Sequence, residues 1–297
     1  MIDINDIKIF TVCENSVANV DFLGEWGLSL VLDLDGLRIL FDTGGGRTLL
    51  HNARHLGIDL ATVDAVVLSH GHKDHTGGLV AALEQGRLAE PERTCQILAH
   101  PETRGPKYFR MSAEDTPFYA GVPFAAEAVY SLGGRFAEST APIWLNDDVA
   151  TSGEIPMVTE YESVEPGCLL KGEDRFVPDP LNDELALFVK TSLGLLIVLG
   201  CAHRGLINTI HQARKVTGIE RVHMIIGGTH LAHAPETQVS ATIAALGELR
   251  VERLGASHCT GLAGACLLSA AVPDVFFHHN AGSVVTFDDN GMEVRAF

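Results

Sequence analysis

Six consecutive residues, His70-Gly71-His72-Lys73-Asp74-His75, place four potential metal ligands within one short stretch of chain. Imidazole nitrogen and carboxylate oxygen suit zinc, iron or manganese, and a tight turn lets alternate residues face different ions. Packing alone gives no reason to gather three histidines and an aspartate at one point. Metal binding is therefore the chemistry they suggest. His203 and His258 would each read, alone, as an ordinary solvated or hydrogen-bonded side chain. Their setting repeats that of His70, which makes them candidate ligands as well.

The repeated setting is an apolar run that ends in a small residue and a histidine. Residues 65–68 deliver Ser69-His70, 195–199 deliver Gly200-Cys201-Ala202-His203, 222–226 deliver Gly227-Gly228-Thr229-His230, and 251–256 deliver Ser257-His258. Each run has the length and composition of a buried strand. Three of the four histidines are soon followed by a predicted helix; after His203 it is marked by Leu206, Ile207, Ile210 and Ala213 at helical spacing, with Gly218 as its stop. Earlier, 7–12 reads as a strand, and 28–34 with 37–41 as a hairpin turned at Asp35-Gly36 and running into Asp42-Thr43-Gly44. These elements predict an α/β domain over 1–297 with one working edge, where strand-end loops present the chemistry. Nine of the twelve prolines fall between Pro101 and Pro180 and periodicity is weak there, so 101–180 reads as a loop-rich insertion over the site.

Bulk properties narrow the function. With 297 residues, 46% hydrophobic and 20% charged, the chain is globular in composition. Its longest uncharged apolar run, 193–201, is far shorter than the roughly 20 residues a membrane helix needs. Met1-Ile2-Asp3-Ile4-Asn5-Asp6 lacks the order of a signal peptide, so the expected compartment is the cytoplasm. A net charge of −17 opposes nucleic acid and anionic membrane as partners and leaves a small-molecule substrate. Oligomeric state has no signature. The six cysteines form no C-x-x-C pair, which argues against a zinc ribbon or a dithiol motif. They read as reduced bystanders, with Cys201 and Cys259 conspicuously near candidate ligands. Arg204, beside a candidate ligand and near a helix start, reads as an anion clamp. Arg104, Lys107 and Arg110 at helical spacing read either as a phosphate-reading helix face or as an ordinary solvated one.

The run Ser69-His70-Gly71-His72-Lys73-Asp74-His75-Thr76-Gly77-Gly78-Leu79, preceded by Asp42-Thr43-Gly44, resembles the H-x-H-x-D-H signature of the metallo-β-lactamase superfamily. The resemblance extends over essentially the whole chain. It implies a four-layer αβ/βα sandwich of two mixed sheets with outer helices, and two divalent ions at the sheets' common edge. By position, His70, His72 and His203 would hold the first ion, and Asp74, His75 and His258 the second. Zinc is the expected metal, with manganese, iron or magnesium compatible. Asp42 would sit behind the ligands and orient an imidazole. Many hydrolases of this superfamily carry a bridging aspartate at the strand end that here reads Gly228-Thr229-His230, yet no aspartate lies between Asp183 and Asp274. Either His230 is an added ligand or near-ligand that lines the site, or water alone bridges the ions.

A narrower likeness rests on Glu14-Asn15, Glu25-Trp26-Gly27-Leu28-Ser29, Gly200-Cys201-Ala202-His203-Arg204-Gly205, Gly227-Gly228-Thr229-His230-Leu231 and His258-Cys259-Thr260-Gly261. Together these resemble the branch containing the 7,8-dihydropterin-6-methyl-4-(β-D-ribofuranosyl)aminobenzene-5′-phosphate synthases, which join a dihydropterin methyl diphosphate to an aryl amine and release diphosphate. Trp26 then reads as lining the substrate pocket, or as part of a packed turn. Two chemistries remain open on one metal site. In a hydrolase, Asp74 would orient a metal-activated hydroxide toward an ester, lactone or phosphoester. In a transferase, Asp74 is chiefly a ligand, while Arg204 and His230 contact a phosphorylated substrate. A sensor without turnover is a third class, for which six His/Asp ligands on open loops offer little.

Overall fold

The computed structural model describes residues 1–17, 19–288 and 291–296. Strand Gly194–Leu199 shows how the layers form. Leu196 and Val198 face one core, whereas Leu195, Ile197 and Leu199 face another, so both sides of the strand are apolar. A strand buried on both faces shows no hydrophobic alternation in sequence, which is why these segments read as continuous apolar runs.

Two mixed sheets share the central core. The first runs, edge to edge, Gly291–Ala296, Ser283–Asp288, Ile7–Cys13, Ser29–Leu34, Leu37–Phe41, Ala65–Val67, Cys95–Ala99 and Gly134–Glu138. The second runs Phe276–Phe277, Arg253–Ser257, Val222–Gly228, Gly194–Leu199, Ala186–Thr191 and Val149–Thr151. Ile7, Leu30, Ile39 and Phe41 of the first sheet pack with Leu187, Val198, Met224 and Ile226 of the second. Helices Leu49–His55 and Leu79–Ala89 cover the outer face of the first sheet, and Leu206–Thr217 and Glu236–Glu248 that of the second. This is the αβ/βα sandwich. The hairpin turns at Asp35 (φ 48°) and Gly36 (φ 83°), the two positive φ values a type I′ turn requires. Among the described residues no helix is long and apolar enough to cross a membrane.

Residues 101–180 contain more structure than the expected loops. Phe176–Pro178, Cys168–Lys171, Lys107–Phe109 and Phe118–Tyr119 form a small antiparallel sheet, while Gly134–Glu138 and Val149–Thr151 extend the two large ones. Strands of two to five residues are too short for periodicity to reveal. The basic row is not a helix face. Lys107 starts a strand and is buried, with Nζ 2.8 Å from Asp183 and 3.0 Å from Asp179. Arg104 is paired with Glu138 at 2.8 Å and lies over the Phe136 ring. Arg110 donates to the carbonyl of Ala113.

Candidate metal centre

The His70–His75 run begins where strand Ala65–Val67 ends, and buried polar groups fix its course. The Gly71 N–H donates to Asp183 Oδ2 at 2.8 Å, and Asp183 is neutralised by Lys107. A side chain at position 71 would run into the Thr103 carbonyl and the Lys107 stem, so only glycine lets the turn lie this close. After the turn, His72 caps the short helix Lys73–Thr76, which presents Asp74 and His75.

Two triads converge. Candidate ligand atoms of His70, His72 and His203 lie within 4.8 Å of one another, as do those of Asp74, His75 and His258. His70 Nε2 is 2.9 Å from His72 Nδ1, and His75 Nε2 is 3.1 Å from His258 Nε2. Asp74 Oδ2 stands 3.5 Å from His258 Nε2 and 3.8 Å from His75 Nε2. Two nitrogen ligands of one tetrahedral zinc lie roughly 3.3 Å apart, close to these spacings.

Hydrogen bonding behind the rings shows which nitrogens are free to bind. Asp42, fully buried, accepts from Ser69 N (2.7 Å), Ser69 Oγ (2.6 Å) and His75 Nδ1 (2.7 Å). A carboxylate can only accept, so His75 carries its proton on Nδ1 and turns a lone pair at Nε2 toward His258. Asn15 Oδ1 accepts the Gly27 N–H, which fixes the amide's orientation, and therefore also accepts from His258 Nδ1 at 3.0 Å. His258 then presents a lone pair at Nε2 too. Two facing lone pairs 3.1 Å apart call for a proton or a metal cation between them. Burial lowers the His75 pKa, but Asp42 and Asp74 outweigh it and hold His75 at about 9, so the local field favours positive charge at that point. In the first triad, burial and the cation of Lys107 push His72 down to about 4 against the pull of Asp74, which keeps it a neutral donor of electrons. His72 Nε2 and both His203 nitrogens are buried without a hydrogen-bond partner. The residues fit divalent metal.

Asp42→Asn keeps the shape but turns an N–H toward His75 Nδ1, favouring the wrong tautomer. Metal affinity is expected to fall roughly 10- to 100-fold in chelator competition. Equal affinity in the two proteins would show that Asp42 does not set the imidazole.

The other sequence candidates fall in different places. Trp26 is 63% exposed, with its ring 5.4 Å from that of His258, and stands at the mouth of the site. His230, at φ 53°, lies with its ring 4.1 Å from His203 and its Nε2 2.8 Å from Glu165 Oε2. Arg204 departs from the expected clamp: Nε donates to the Ile155 carbonyl at 2.6 Å, and Nη1 donates to the Pro180 carbonyl and Asn182 Oδ1. Those bonds tie the insertion to the helix start and engage Nε and Nη1.

Four residues had no assigned role in sequence. Asn15 and Glu14 support His258, the latter by accepting its backbone N–H at 2.7 Å. Their pairing with Trp26-Gly27 in the branch likeness was the available signal. Glu184 accepts from the His203 and Arg204 amides, and burial raises its pKa to about 7 against those bonds. Glu165 holds His230 from within the insertion. The thiols of Cys201 and Cys259 are also central, not peripheral: Cys201 Sγ is 3.1 Å from His75 Nε2, and Cys259 accepts the His230 N–H.

Comparison with known proteins agrees with this geometry. The sequence profile of the metallo-β-lactamase superfamily matches residues 27–205. The chain belongs to that superfamily. As a metallo-β-lactamase-fold enzyme it is 33% identical over 297 residues to the 7,8-dihydropterin-6-methyl-4-(β-D-ribofuranosyl)-aminobenzene-5′-phosphate synthase of Methanocaldococcus jannaschii, covering 96% of this chain and 98% of the synthase. An uncharacterised protein of the same organism is 28% identical over 229 residues, covering 77% of this chain and 82% of its own. Among solved structures, a metal-dependent hydrolase of the β-lactamase superfamily superposes with a TM-score of 0.79 at 26% identity, covering 95% of this chain and all of the other. Metallo-β-lactamase-fold proteins typically bind metal ions, and the two triads are where this chain has the groups to do so.

Proposed function

We propose that this chain is a binuclear metal-dependent synthase that joins a dihydropterin methyl diphosphate to a phosphorylated ribosyl aryl amine and expels diphosphate. The observation that carries this is the 33% identity to the named synthase across nearly the full length of both chains. The nitrogen-rich ligand set favours zinc. Bound at the two triads, divalent ions would supply Lewis-acid charge to the oxygens of the departing diphosphate.

The chain's own residues have defined tasks in this scheme. Asp42 and Asn15 hold His75 and His258 in the tautomers that face inward. Asp74 stays ionised: burial would raise its pKa, but His75, His258 and His72 outweigh that and hold it well below the usual carboxylate range. Trp26 offers a flat apolar face beside His258 on which a pterin or aryl ring can stack. His230, fixed by Glu165, borders the first triad on the insertion side and contacts the phosphorylated substrate. Arg204 is left out, because its Nε and Nη1 are turned to loop oxygens of the insertion.

A hydrolase reading has its own support in the 0.79 TM-score to a metal-dependent hydrolase at 26% identity. Product analysis of the metal-loaded protein separates the two. Diphosphate release should rise with aryl amine concentration, with one adduct formed per diphosphate. Release at an unchanged rate without amine, giving the hydroxymethyl pterin, would reject the synthase in favour of the hydrolase.

A further inference from the structure

We propose that Cys201 is a ligand of the metal centre, its thiolate lying at the junction of the two triads. This rests on the reading of the His/Asp cluster as a metal centre. Cys201 Sγ, a His70 ring nitrogen and a His75 ring nitrogen all lie within 4.8 Å of one another. His70 belongs to one triad and His75 to the other, so the sulfur stands where a group can serve both.

Local structure brings it there. Gly200 lies hard against Ser69, so that any side chain at 200 would collide with the Ser69 hydroxyl. The Gly200-Cys201 backbone can therefore approach the root of the His70 run. Ala202 then turns the chain with φ 55°, a conformation uncommon for alanine, before His203. Cys201 is 3% exposed, which removes water as a partner.

The alternative to ligation is a simple S–H···N hydrogen bond to His75 Nε2 at 3.1 Å. That bond would use the His75 lone pair and leave the His258 lone pair facing it from 3.1 Å. A cation held by His75 Nε2 and Cys201 Sγ, with a His70 ring nitrogen in reach of both, satisfies the sulfur and the imidazole together. Ligands of zinc at about 2.0 Å for nitrogen and about 2.3 Å for sulfur sit roughly 3.5 Å apart in a tetrahedral shell, near the observed spacing. Binding replaces the S–H bond by a metal–sulfur bond, and the proton passes to solvent. Charge points the same way: two divalent ions less the Asp74 carboxylate and the buried Asp42 carboxylate leave about two positive charges, which a thiolate reduces to about one.

Cys259 is the natural control. Its sulfur groups with Cys201 and His230 but not with His70 or His75, and it accepts the His230 N–H. X-ray absorption of the zinc-loaded intact protein should show a sulfur scatterer at about 2.3 Å. The cobalt-loaded protein should show sulfur-to-metal charge transfer in the near ultraviolet. Both signals should vanish in Cys201→Ser and persist in Cys259→Ser. A loaded intact protein with only nitrogen and oxygen scatterers would overturn the proposal and leave the His/Asp centre standing. Failure to bind any metal would remove both. Loss of the sulfur signal in Cys259→Ser with retention in Cys201→Ser would overturn it in favour of Cys259. If Cys201→Ser does not fold, the sulfur signal of Cys259→Ser decides: its persistence supports Cys201 and its loss overturns the proposal.

Discussion

Replacing His72 by alanine should cut bound metal from about two equivalents per chain to about one, and replacing His258 should do the same at the other triad. The two losses are expected to differ in kind. His72 belongs with His70 and His203, whereas His258 belongs with Asp74 and His75 and has its own support from Asn15 and the buried Glu14. In the cobalt-loaded protein each substitution should therefore erase a different part of the visible spectrum, and the double variant should hold almost no metal. Elemental analysis after exhaustive dialysis is the direct measurement. One equivalent in the intact metal-replete protein would remove the second triad from the assignment. Identical residual spectra in the two single variants would show one shared site.

Lys107→Met should destabilise the fold by about 3–5 kcal/mol, the usual cost of leaving buried charge without its partner. Lys107, Asp179 and Asp183 are each no more than 3% exposed, and the ammonium lies within 3.0 Å of both carboxylates. Burial lowers the Lys107 pKa, yet Asp183 and Asp179 outweigh it and the net shift is upward. A lysine with a raised folded pKa contributes stability that is fully present below its unfolded value near 10.4. That contribution is lost only as pH climbs through the higher folded value. The deficit of Lys107→Met should thus be constant from about pH 6 to about pH 9, read from urea denaturation midpoints. Adding Asp179→Asn and Asp183→Asn removes the uncompensated charge and should recover much of the loss. No recovery, or a deficit below about 1 kcal/mol, would show that the triad is not a buried ionic unit. Because Asp183 also holds the Gly71 N–H, the same substitution loosens the turn that carries His70 and His72.

The α/β class and the strand-end placement of the histidines were legible because they are local. An apolar run of strand length followed by a small residue and a histidine is a pattern within ten positions. What sequence could not supply was whatever depended on distant partners. Asn15 orients His258 across a separation of 243 residues, so its presence beside Glu14 was visible but its task was not. Lys107 shows the opposite error. Arg104, Lys107 and Arg110 have helical spacing, but Lys107 is drawn into a short strand by Asp179 and Asp183 from 72 and 76 residues away. Arg204 adjoins His203 in the chain, which sequence alone shows, whereas the direction of its guanidinium is decided by carbonyls of the insertion. Cysteine spacing excluded the familiar thiol motifs and said nothing of Cys201, whose neighbours come from the other sheet.

Each triad takes its members from both sheets. His70, His72, Asp74 and His75 follow a strand of the first sheet, whereas His203 and His258 follow strands of the second. As the chain leaves the ribosome, the residues before His203 hold four of the six side chains and yet no complete triad. The second triad stays open until the strand Arg253–Ser257 has been made and laid beside its neighbours. A metal ion held by either triad would therefore report that the two sheets have met.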